Sequence, residues 1–319
     1  MFSDTTFGRP LPIQDEISPN ESGNGYALRM VTANHLMFCD MTRALTSIGH
    51  RYLPSAAAQK IAYWFGANPT AVSRAIPFSY KARGHLVTRF MGHEFNRPYH
   101  IRLSRPQICV LCLGEQGYAL AIWDISMVTS CPRHKIKLID HCPKCRRCIS
   151  WRRPDLWTCH CGLAFSLVNP VLATENELWL SQHIECLVFQ DGEHLPMANT
   201  PRHPLAVFSL DILLRVVRAF GLSEGSFVGD IVPGRITRIL TTEEAQRVLE
   251  RAFARLGMIL SSNGGTATSL SLHLAELRTL CNEAGGAEAM LLHRVLNIVA
   301  ATEERYSALK TISSQLDLF

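Results

Sequence analysis

Between residues 109 and 161 the chain places eight thiol and imidazole side chains in two consecutive groups of four, and no other stretch restricts the fold as much. Cys109-Val-Leu-Cys112 is answered by Cys131-Pro-Arg-His134, giving three thiols and one imidazole. Directly behind, Cys142-Pro-Lys-Cys145 is answered by Cys159-His-Cys161-Gly162, giving four thiols. A C-x2-C turn points two thiolates at one ion, and a second knuckle across a short hairpin supplies the other two. Soft sulfur with at most one imidazole suits zinc, and sets closed at four protein donors leave no position for a reactive water. Two structural zinc ions are therefore expected, each worth on the order of 10–16 kcal/mol of apparent folding free energy in a small domain. Cys148 introduces an overlap, because Cys145 and Cys148 also form a C-x2-C pair that competes with Cys142 and Cys145. The earlier pair is preferred, since Cys-Pro-x-Cys repeats the Cys-Pro-x-His pattern just upstream, which leaves Cys148 spare.

The competing reading of so many cysteines is a disulfide-bonded secreted segment. The first twenty residues are polar and acidic rather than signal-like, and no apolar run approaches the roughly 18 residues needed to span a bilayer. A cytoplasmic protein without membrane contact is expected, its thiols kept available to metal. Charge is unevenly spread: residues 51–160 carry +12 and the remainder −7, against +5 for the whole chain of 319 residues. A basic half joined to an acidic half suggests that one contacts phosphate and the other protein.

The stretch 58–77 reads as a helix-turn-helix. Ala62, Gly66 and Val72 supply the small residue, the turn glycine and the locking aliphatic at the required offsets. Asn68 can cap the second helix, Pro69 suits its first position and Pro77 ends it. Thr70, Ala71, Ser73 and Arg74 then lie on the face offered to a nucleic acid or a partner. Arg146, Arg147, Arg152 and Arg153, grouped around the second knuckle, are further candidate contacts. The residues before it, 7–20, are proline-rich and predict an extended lead-in, and 21–34 predict a helix. The stretch 85–107 reads as a loop-rich basic linker.

Trp123, Cys131-Pro132-Arg133-His134 with Leu138, Cys142-Pro143-Lys144-Cys145 and Cys159-x-Cys161-Gly162 resemble the tandem zinc motifs of the TniQ/TnsD family. Glu21-Ser22, Tyr26, Arg29 and Asn34 are similar to the amino-terminal signature of the same family. Two departures stand out: the first knuckle is Cys-Val-Leu-Cys where Cys-Pro-x-Cys is usual, and Cys148 is extra. The resemblance implies target-site selection in DNA transposition. It also implies the partners: an AAA+ transposition regulator, the transposase, and target DNA or an RNA-guided CRISPR effector carrying its guide. A second copy of the chain is a further candidate partner.

No enzyme motif is found. His93-Glu94 lacks the second histidine of a zinc protease, Arg97 standing in its place, and His183-Ile184-Glu185 is not followed by the P-C-x2-C of a nucleobase deaminase. Beyond Phe165 the pattern is helical: 205–220, a helix opened by a Thr241–Glu244 capping box, then 268–283, 286–301 and 302–315, with Ser261–Gly265 as a flexible connection. The expected architecture is mainly α with small zinc-ribbon β elements. Its parts are an N-terminal helix-turn-helix domain (1–105), a tandem zinc-binding domain (106–168) and a C-terminal helical domain (169–319). A non-enzymatic adaptor is the preferred function. The alternative is a zinc-containing helix-turn-helix transcription regulator that binds DNA directly.

Overall fold

The structure, a computed structural model, describes residues 6–46, 51–82, 84–189, 203–222, 238–261 and 274–316. It is mainly helical with two small antiparallel sheets. Two compact units are distinguished, Met1–Ala198 with Ile239–Ala245, and Asn199–Arg238 with Gln246–Phe319. Among the described residues no helix is long and apolar enough to cross a membrane.

In the first unit the proline-rich lead-in is extended, as its φ-restricted residues dictate. Its Leu11 and Asp15 amides donate to the carbonyls of Trp64 (2.8 Å) and Phe65 (3.0 Å). Helix α1 (Gly23–Ala33) starts at Ser22, whose hydroxyl accepts from the Gly25 amide and donates to the buried Asp124 carboxylate at 2.6 Å. Glu21, also buried, binds Arg29 at 2.8 Å, and Arg29 reaches Asp15 at 2.6 Å. Asn34 closes the far end by bonding both the amide and the carbonyl of Ile13 (2.9 and 2.8 Å). The Glu-Ser, Arg and Asn positions thus clamp the lead-in against α1. Burying that many polar groups is tolerable only because each has a partner.

Helix α2 (Phe38–Leu45) packs on α1 and is followed by α3 (Ala58–Phe65) and α4 (Pro69–Ala75). Gly66 ends α3 in the left-handed conformation (φ 71°), where a β-carbon would also collide with the Gln14 side chain. Asn68 caps α4 by accepting from the Thr70 (2.9 Å) and Ala71 (3.2 Å) amides. Ala62, Phe65 and Val72 are buried where the two helices meet.

The stretch expected to be a linker is instead a sheet. Strands β1 (Phe78–Ala82), β2 (His85–Phe90) and β3 (His93–Phe95) form an antiparallel meander in that order, with Phe78 opposite Arg89 and Arg89 opposite Glu94. Gly84 and Gly92, both at positive φ (80° and 89°), make the turns, and Val87, Phe90 and Phe95 are buried. Helix α5 (Val110–Gln116), the hairpin β4 (Ser130–Cys131) and β5 (Ile136–Lys137), and helix α6 (Glu175–Phe189) complete this unit. The segment around Leu172 lies alongside β5: the Lys137 amide donates to the Val171 carbonyl and the Ala173 amide to the Lys135 carbonyl (2.8 and 3.0 Å). In this wide antiparallel pairing the main-chain groups of Leu172 point away from β5. No group among the described residues pairs with them.

In the second unit, α7 (Leu210–Gly221) begins later than the predicted 205–220. Pro204–Val207 forms a separate 3-10 turn, and Ser209 adopts an extended conformation ahead of the helix. Helix α8 (Thr242–Ser261) opens on the predicted box, the Thr241 amide donating to Glu244 (2.8 Å) and the Glu244 amide to Thr241 Oγ1 (3.2 Å). Helix α9 (Leu274–Glu283) follows; of the predicted connection 261–265 only Ser261, the last residue of α8, is described, and the predicted helical residues 268–273 lie outside the described residues. Helix α10 (Gly286–Leu316) is continuous where two helices were expected, since no glycine, proline or cap interrupts the chain near residue 301. Gly221 touches the Val248 backbone so closely that a β-carbon would overlap it, which fixes α7 against α8. Phe208, Val216, Phe220, Phe253, Leu256 and Leu292 line an apolar cavity of about 380 Å³ in this unit.

Candidate metal centres

The first centre is assembled from three elements. Cys109 is the N-cap of α5 and accepts from the Cys112 amide (3.5 Å), so one turn of helix holds both thiols on the same side. Cys131 ends β4, and the tight turn into β5, with Lys135 at φ 58°, brings His134 back over them. His134 Nδ1 stands 3.5, 3.2 and 3.5 Å from the sulfurs of Cys109, Cys112 and Cys131, and the last two sulfurs are 3.5 Å apart. The second centre brings together Cys142, Cys145, Cys159 and Cys161, with Cys142 Sγ 3.6 Å from Cys161 Sγ and Cys145 Sγ 3.8 Å from Cys159 Sγ. Within each group all donor atoms lie within 4.8 Å of one another.

These spacings fit a tetrahedral ion. Metal–sulfur bonds near 2.3 Å and metal–nitrogen bonds near 2.0 Å give tetrahedral edges of about 3.5–3.8 Å. The electrostatics point the same way. Hydrogen bonds with Cys109 and Cys112 hold the Cys131 thiol down to about 2, while those with Cys109 and Cys131 drive the Cys112 thiol far up. Three thiolates packed this closely repel one another, and a cation among them would relieve that repulsion.

His134 is oriented from behind. Its Nε2 is 2.9 Å from Glu115 Oε1, and the other Glu115 oxygen is held by Arg133 at 2.8 Å. A carboxylate in this position fixes the tautomer that leaves Nδ1 free to ligate. Glu115 carries no motif signal of its own. Its place is readable only in that it lies on the same short helix as Cys112, three residues on.

Cys148 stands outside both donor sets. Its sulfur is 3.1 Å from His141 Nε2, His141 Nδ1 is 2.7 Å from Asp140 Oδ1, and Asp140 Oδ2 in turn accepts from Arg102 (3.0 Å) and the Thr242 amide (2.8 Å). The thiol is engaged in a polar chain that runs back to a buried arginine.

The candidate contact residues are not equivalent. Thr70, Ser73 and Arg74 are exposed on α4 and Ala71 is half-buried. Arg146, Arg147 and Arg152 are exposed around the second knuckle. Arg153 is a correction: it is only 2% exposed, its guanidinium lies over Trp151 and Phe165 (5.4 and 5.8 Å), and it donates to the carbonyls of Ser150 and Leu156. A cation committed to the interior in this way offers nothing to a surface partner. Thr70, Ser73 and Arg74 face the sheet across a groove of about 600 Å³ whose opposite wall carries Phe78, Arg89 and Gly92.

Among curated proteins none matches the chain. The model of the TniQ family matches residues 12–138, from the lead-in through the α1 clamp, α3, α4 and the three-stranded sheet to the first donor set, with the second donor set beyond it. Over residues 12–138 the chain is similar to the TniQ family.

Proposed function

We propose that this chain is a non-enzymatic adaptor for target-site selection in DNA transposition, working in the cytoplasm. The observation that carries the reading is the TniQ match over residues 12–138. In this reading both donor sets hold zinc: Cys109, Cys112, Cys131 and His134 one ion, Cys142, Cys145, Cys159 and Cys161 the other. Zinc supplies cross-linking there and no bond chemistry, because each set is closed by protein donors. The stiffened basic surface, with Thr70, Ser73 and Arg74 on α4 and Arg146, Arg147 and Arg152 at the second knuckle, engages target DNA or an RNA-guided effector already on its target. Another face engages an AAA+ regulator and, through it, the transposase. Function then follows from raised local concentration at the chosen site.

Retention of the purified AAA+ regulator by the immobilised chain, lost on metal removal, is the expected result. Failure of the two to associate in the presence of DNA sinks the adaptor reading. The exposed face of α4 also favours a second reading, a helix-turn-helix transcription regulator. Tight autonomous binding to a short palindrome, with no affinity for the regulator, decides for it.

A further inference from the structure

We infer that the groove between α4 and the β1–β2 hairpin is a binding site for unpaired nucleotides, in which a base stacks on Phe78, itself backed by Tyr80, and phosphates meet Arg74 and Arg89. The inference rests on the reading of α4 as a nucleic-acid contact and adds the form of nucleic acid and the residues that select it.

Three observations converge on the hairpin. Phe78 and Tyr80, two residues apart on β1, point to the same face, and their rings stack with centroids 5.7 Å apart and planes 17° from parallel. Phe78 remains 46% exposed although it is a large apolar ring with a protein interior beside it. Arg89, opposite Phe78 in the register, lies over the Tyr80 ring at 5.8 Å. An exposed ring backed by a second ring and a cation is a platform on which an unpaired base can extend the stack, and it is of little use to a duplex, whose base faces are already covered.

The opposite wall supplies the rest. The Arg74 guanidinium has no partner among the described residues, the side chain runs past Gly92, and Thr70 and Ser73 place hydroxyls beside it. A β-carbon at Gly92 would stand 3.9 Å from Arg74 Nε, so the glycine keeps the turn low beside the guanidinium. The Glu94 carboxylate on this face is engaged: Oε1 accepts from Tyr80 (2.7 Å) and from Arg89 (2.6 Å), which holds ring and guanidinium in register. The space of about 600 Å³ lies within the range of single small-ligand sites and admits a nucleotide rather than a helix.

The test uses the full chain with zinc bound and three labelled probes: an oligothymidylate, an oligouridylate and a duplex of the same length, followed by anisotropy. Phe78→Ala is expected to weaken single-strand binding about 5- to 150-fold, as loss of one stacking platform does, while Phe78→Tyr retains it. Arg74→Ala should lower the slope of log affinity against log salt by roughly 0.7, the loss of one single-strand phosphate contact. Metal content and circular dichroism of each variant, equal to the parent, establish that the fold is intact, and the tighter of the two single strands names the nucleic acid. Single-strand affinity indifferent to Phe78→Ala overturns the inference. If Arg74→Ala then still weakens duplex binding, α4 remains a nucleic-acid contact and only the single-strand assignment falls. If none of the probes binds, both fall.

Discussion

The knuckle region and the helical unit of α7 to α10 reach order by different routes. From Leu138 to Ala164 no helix or extended strand forms; isolated bridges at His141–Cys148 and Thr158–Ala164 and a few buried side chains, Ile149, Trp151 and Leu156, are the internal supports. Helix α7, by contrast, buries every residue it has except Asp211. A stretch too short and too polar to bury enough apolar surface is held by cross-links, whereas a helix with three apolar positions per turn is held by packing. On the proposed zinc reading, the same chain contains one region whose stability depends on the solution's metal and one whose stability depends on shape.

The largest effect should separate the two cleanly. Chelation, or Cys142→Ser, is expected to unfold residues 140–162, an ion of this kind being worth on the order of 10–16 kcal/mol. Hydrogen exchange should show protection lost there and retained in α7 to α10. Cys148→Ser should leave two metal ions per chain by elemental assay, Cys142→Ser one. Loss of protection throughout the helical unit on chelation would break the comparison.

Phe220→Ala probes the other side. Truncating a ring that already lines a cavity is expected to cost about 3–5 kcal/mol, read as a lower urea midpoint of the helical unit with metal content unchanged.

Asp124 sharpens the contrast within the first unit, where a buried carboxyl rather than an ion or a packed face is at issue. Burial pushes its pKa up to about 7, against the opposing pull of the Ser22 hydroxyl and Arg102. A native carboxyl that keeps its proton longer than the unfolded one stabilises below the unfolded value, and that contribution is lost as pH rises through the folded value. Asp124→Asn, which removes the charge altogether, should therefore stabilise by about 4 kcal/mol near pH 8 and by almost nothing near pH 4, measured as paired melting curves. The smallest effect expected is that of Asn68→Ala, about 1 kcal/mol from loss of the α4 cap, confined to the first unit.

The donor residues could be read from the sequence because metal ligation imposes fixed local spacings. The Thr241–Glu244 box and the Asn68 cap could be read because capping is decided within four residues. Arg102 meeting Asp140, thirty-eight positions away, and Ser22 meeting Asp124 have no such local signature, and only the amino-terminal resemblance marked Ser22 at all. The hairpin was hidden differently. Val87, Thr88 and Phe90 are all buried, so strict alternation fails there, although Gly84 and Gly92 on either side of the β-branched pair Val87-Thr88 were a usable turn signal. Counting charge placed Arg153 on the surface with its neighbour Arg152, because a tally of cations cannot tell a solvated guanidinium from one sandwiched on aromatic rings.

Leu172 bears on how the protein behaves at high concentration. Its outward amide and carbonyl, with side chains at Val171 and Leu172 that are 61% and 76% exposed, make a short bare strand border on the protein's surface. Such a border templates unwanted self-association in concentrated solution, and Pro170 limits its growth on one side only. Handling of the purified protein would be eased by Leu172→Lys, which places a charge where two copies would otherwise zip together.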